Sequence, residues 1–163
     1  MAKVFEDEFM DLQARMIGLC EELTEGRVDK IFVYCCIERR VNMFHAFFAK
    51  NGKALHAGDL KIPGSVQDAF LKLGMSDMRE IEKLCERYGR PTPSEIKMSF
   101  DVKTRSLETQ YRYEDYISGS KISNEDVIRA WMKEVESAYA ADSGEVPEKA
   151  KKPGFKFPFF GKK

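Results

Sequence analysis

The side chains best suited to bond-making chemistry in this 163-residue chain are two histidines and four cysteines. Their spacing gives them little to work with. Cys20, Cys35, Cys36 and Cys85 form no CxxC and stand at no metal-ligand distance from a histidine, so no metal centre is expected. Cys35 and Cys36 are neighbours in a run of β-branched and aromatic residues. A strand turns neighbours to opposite faces, so a bond between them is geometrically awkward, and buried, reduced thiols are expected. His45 sits inside an apolar stretch, where an imidazole held against the sheet or core is the expectation. His56 is followed by Asp59, but no nucleophile lies near either histidine in sequence. GxSxG, HExxH, the P-loop and GxGxxG are absent. No catalytic residue and no cofactor are therefore expected, and the chain does not read as an enzyme.

Charge is the more informative property. Acidic and basic side chains balance at 27 each, yet residues 149–163 hold six lysines and no acid, which leaves residues 1–148 at a net charge of −6. An acidic body of this kind disfavours nucleic acid as its main ligand and steers toward a basic protein. The basic segment interleaves Phe155, Phe157, Phe159 and Phe160 with lysines such as Lys156. Those five residues are candidates for an accessory contact with a membrane surface, a single-stranded nucleic acid or a protein groove. No leader peptide is visible at the start of the sequence and no apolar run is long enough for a membrane span, so a cytoplasmic location is expected.

Hydrophobic spacing sets the elements that must position these groups. Phe5, Phe9, Leu12, Met16, Leu19 and Leu23 recur at intervals of three and four, which predicts an amphipathic helix over about 3–25 with Gly26 as its left-handed cap. Residues 30–38 and 41–50 are near-continuously apolar and predict two central strands covered on both faces. Asn51-Gly52 predicts a tight hairpin into a short edge strand at 53–56, followed by a loop over 57–64. Residues 66–73 and 76–88 predict a helix broken at Gly74, with Ser76 as N-cap and a buried stripe of Met78, Ile81, Leu84, Cys85 and Tyr88. Two prolines, Pro91 and Pro93, end it.

Pro93 to Tyr116 then predicts a β-hairpin by strict alternation. Ile96, Met98, Phe100 and Val102, continued by Leu107, Thr109, Tyr111 and Tyr113, form its core face. Lys97, Ser99, Asp101, Glu108, Gln110, Arg112 and Glu114 form a wet face, with Lys103 to Ser106 as the turn. Ser123 caps a last helix whose buried side is Val127, Ile128, Trp131, Val135 and Ala138. The expected fold is α+β: a mainly antiparallel sheet of four to five strands in the order α-ββ(β)-α-ββ-α, one domain over 1–141, and a disordered Lys/Phe/Pro-rich segment over 142–163.

Several collinear segments carry a resemblance. They are Ile17-Gly18-Leu19-Cys20, Asp29 to Cys35, Asn51-Gly52-Lys53, Ile81 to Cys85, Pro93 to Lys97, Asp101-Val102-Lys103, Ser106-Leu107, Tyr111-Arg112-Tyr113 and Trp131. Together they resemble the YezG-like family of bacterial antitoxin or immunity proteins. The resemblance implies a non-catalytic protein that neutralises a cognate secreted toxin, often a nuclease, by direct contact. It supplies no contact residues. Charge points to the solvent side of the hairpin and the loop after it, with Glu108, Glu114, Asp115 and Tyr116 as candidate partner contacts for a basic nuclease domain.

Overall fold

The computed structural model describes residues 4–143. Its elements are α1 (Phe5–Thr24), β1 (Lys30–Ile37), β2 (Asn42–Lys50), β3 (Lys53–Leu55), α2 (Gly64–Arg87), β4 (Glu95–Asp101), β5 (Ser106–Arg112) and α3 (Asn124–Ser143), with a short 3-10 helix at Ala57–Leu60. The candidate tail contacts Phe155, Lys156, Phe157, Phe159 and Phe160 lie outside the described residues.

The five strands form one sheet in the order β3-β2-β1-β4-β5, antiparallel throughout. This is the α+β architecture that the pattern of hairpins predicts. β1 is central because it is apolar at every second position on both faces. Ile31, Val33, Cys35 and Ile37 join Phe44, Ala46, Phe48, Ile96, Met98 and Phe100 beneath α1 and α2. Phe32, Tyr34 and Cys36 join Phe47 and Ala49 beneath Ile128, Trp131 and Val135 of α3. Cys35 and Cys36 thus enter different cores, and all four cysteines are buried and free.

Asn51 and Gly52 both take positive φ, 52° and 80°, which is the geometry of the hairpin turn their identities predict. The turn of the second hairpin needs no glycine. It spans residues 102–105, and the Asp101 carboxylate accepts the N–H groups of Lys103 (2.9 Å) and Thr104 (3.0 Å) while Arg105 takes the left-handed conformation. Ser123 caps α3 as expected, its hydroxyl accepting from Asp126 N–H while the Asp126 carboxylate accepts from Ser123 N–H.

Several expectations are corrected. α2 is one unbroken helix, so Ser76 is interior to it and Gly74 is not a break. Gly74 is instead where Phe44 of β2 crosses the helix, since a Cβ there would lie 2.1 Å from the Phe44 ring. Tyr88, assigned to the buried stripe, is exposed and packs on the edge of Phe5. In α1 the buried stripe is Phe5, Phe9, Gln13, Met16, Ile17 and Cys20, with Leu12, Leu19 and Leu23 at its margin. Gln13 is tolerated there because it donates to Tyr111 Oη (2.9 Å) and accepts from Thr109 Oγ1 (2.7 Å), tying α1 to β5. The left-handed cap of α1 falls on Glu25 (φ 51°) as well as Gly26 (φ 74°).

The last correction concerns both faces of the hairpin: Tyr111 and Tyr113, expected in its core face, are exposed at the sheet edge, and its wet face is partly covered. Glu95 and Ser99 are buried and Lys97 is half-buried, because that face adjoins α3. Alternation correctly predicts which residues share a face, but it cannot tell a solvated face from one partly roofed by a later helix.

Candidate functional site

α3 lies over β1, β2 and β3, where Trp131 sets its edge against the rings of Phe32 and Phe47 at centroid distances of 5.6 and 5.1 Å. Beyond Trp131 the same face of β4 and β5 is left without a helix above it. A groove of about 450 Å³ results, floored by Glu95, Lys97 and Arg112 and walled by Asp126, Trp131 and Glu134 on one side and Tyr116 on the other.

The floor is built from register pairs. Glu95 faces Arg112 and Lys97 faces Gln110 across β4 and β5. Arg112 Nη2 donates to the buried Glu95 carboxylate at 2.6 Å, and its guanidinium lies 4.4 Å from the Tyr116 ring centre. Lys97 places its ammonium 5.1 Å from the Trp131 ring. Each cation of the floor is therefore stacked on an aromatic of the wall, which holds both side chains in place. Ser99 Oγ and Arg112 Nε lie buried without a hydrogen-bond partner among the described residues.

The Tyr116 wall is fixed from beneath. Glu38, just past the end of β1, is buried, and its carboxylate accepts three main-chain N–H groups: Tyr116 (2.7 Å), Ile117 (2.9 Å) and Ser118 (2.7 Å). Burial opposes the charge on Glu38, but the three N–H donors outweigh it and hold the carboxyl down to about 2. Ile117 then inserts into the α3 core. The neighbouring Ser94 hydroxyl sits against the carbonyl oxygens of Arg112 and Glu114, at 3.0 and 2.7 Å.

Of the four contacts predicted from sequence, Tyr116 lines this groove. Glu114 and Asp115 are exposed in the loop that leads to it, and Glu108 is half-buried farther back along β5, opposite Ser99. Glu95, Lys97, Trp131 and Glu134 were not predicted as site residues. The parity of Lys97 and Arg112 was visible, but the reach of α3 was not. Three exposed tyrosines, Tyr111, Tyr113 and Tyr116, follow one another along this end of the chain.

His45 and His56 are 5.6 Å apart between ring centres on β2 and just after β3. Burial, reinforced by His56 and opposed by Glu125, lowers His45 to about 4, so it is neutral at neutral pH. Burial pushes the Cys20 and Cys35 thiols far above their ordinary range, which makes them poor nucleophiles. Among the described residues no three histidines, cysteines or carboxylates are arranged to hold a metal ion, and no helix is long and apolar enough to cross a membrane. No protein-family model matches the chain, and no curated protein matches it at a significant level.

Proposed function

We propose that this chain is an immunity protein that works in the cytoplasm, binding a cognate toxin and neutralising it by direct contact, with a basic nuclease domain as the toxin. The observation that carries the reading is the groove beside α3: a rigid, half-roofed sheet face with stacked side chains and a loop pinned by Glu38, in a body of net charge −6. A preformed surface binds without the ordering cost that a flexible one incurs. Its composition suits a protein partner, since tyrosine, tryptophan and arginine dominate the energetics of protein interfaces. The resemblance to YezG-like antitoxins supplies the class of partner. Acidic groups at Glu108, Glu114 and Asp115 would meet the basic surface that a nuclease needs for its phosphates, speeding encounter at low salt.

Co-expression with the toxin encoded beside this chain tests the reading. Growth is restored and the two proteins co-purify; failure of both defeats the proposal. In the purified complex, Tyr116→Ala lowers affinity by about thirtyfold, the effect of losing one interface anchor worth about 2 kcal/mol. Glu114→Lys with Asp115→Lys slows association and flattens its salt dependence.

A further inference from the structure

The two edges of the sheet are treated differently. β3 is three residues long, and Ala54 N–H is taken by Glu136 of α3 at 2.8 Å, which closes that edge. β5 is seven residues long, is the outermost strand on the other side among the described residues, and contains no proline, glycine or lysine. Such an edge turns the N–H and C=O groups of alternate residues outward and is a template for another strand.

We propose that β5 pairs with β5 of a second copy of this chain, antiparallel about a two-fold axis through Gln110, to make one continuous ten-stranded sheet. The strand's own side chains select this partner and this register. With Gln110 opposite itself, Glu108 of each copy faces Arg112 of the other, giving two opposite-charge pairs on the groove side. On the α1 side Thr109 faces Tyr111 and Leu107 faces Tyr113, pairing small or β-branched residues with aromatics. Tyr111 and Tyr113 are 41 % and 54 % exposed in the single chain, and the pairing covers them. Centring on Glu108 or on Arg112 sets like charges against each other, and centring on Thr109 sets Glu108 opposite Gln110 and Arg112 opposite Ser106, so that no opposite charges face each other across the seam. The two-fold also sets the half-covered faces side by side, so that β4 and β5 of both copies floor one trough between two α3 helices.

This inference stands apart from the toxin reading and needs no toxin to test. The purified 163-residue chain sediments at twice its 18.8 kDa mass at tens of micromolar. Gln110→Cys cross-links into a covalent dimer under mild oxidation, because residues facing each other across an antiparallel pair lie within disulfide reach, while Ser106→Cys does not. The native cysteines are buried and stay out of the reaction. Glu108→Arg weakens self-association about tenfold or more by opposing Arg112. A chain that stays monomeric at all concentrations overturns the proposal and leaves the edge to a different protein strand. A dimer that persists in Glu108→Arg and resists cross-linking at Gln110→Cys also overturns it, placing the contact on another face.

Discussion

Replacing Glu38 with glutamine isolates the clasp that positions the groove's outer wall. The Glu38 carboxyl falls from an ordinary 4.5 to about 2 because three main-chain N–H groups outweigh its burial. A shift of that size corresponds to about 3 kcal/mol of stability. A depressed carboxyl contributes fully above its unfolded value and loses that contribution as pH falls through its folded value, so the window runs from 4.5 down to about 2. Glutamine keeps one acceptor oxygen and turns an N–H₂ toward donors, so Glu38→Gln loses roughly 3 kcal/mol at pH 7. By pH 3 about 2 kcal/mol of the native advantage has been titrated away, and the two proteins differ by about 1 kcal/mol. Urea unfolding of both chains at pH 7, 5, 4 and 3 reads the convergence directly. Hydrogen exchange at the amides of Tyr116, Ile117 and Ser118 localises it, with protection lost in the variant at pH 7. Parallel stability curves, or unchanged protection at these three amides, would refute the reasoning. Affinity for the proposed toxin should fall with this variant while the far-UV spectrum is retained.

His45 titrates in a higher window. Its folded value of about 4 lies below the ordinary 6.5, so the native state resists protonation and stability falls as pH drops from 6.5 toward 4. His45→Phe removes about 3 kcal/mol of that loss, seen as a flattened urea midpoint across this range. Gly74→Ala inserts a methyl group into the Phe44 ring and lowers stability by about 1–3 kcal/mol, despite the better helix propensity of alanine. Adding Phe44→Leu to Gly74→Ala recovers part of the loss, and a double-mutant cycle by urea unfolding measures the coupling.

Much of this fold could be read from local signals. Asn51-Gly52, the proline pair after α2 and the Ser123 cap act within a few residues and need no distant partner. The near-continuous apolar run of β1 announced two covered faces. Gly74 misled because glycine breaks an isolated helix, whereas here it admits a ring from a strand about thirty residues earlier. Gln13 was passed over because its partners, Thr109 and Tyr111, are almost a hundred positions away. The groove was half legible for the same reason. The alternation of Lys97 and Arg112 follows from the strand, but the line where α3 stops covering the sheet is set by Trp131 packing between Phe32 and Phe47. Glu38 gave no signal in sequence, since a carboxylate gripping backbone leaves no mark on the residues it grips.

That silence has a use. Because Glu38 holds the loop through main-chain N–H groups, the side chain of Tyr116 is not what keeps the loop's backbone in shape. That position can be rewritten by successive mutations while the backbone of the wall stays where it is. A lineage in which the opposing protein keeps changing could therefore exchange recognition residues there without refolding its scaffold, and Glu38 would be the residue that drift must spare.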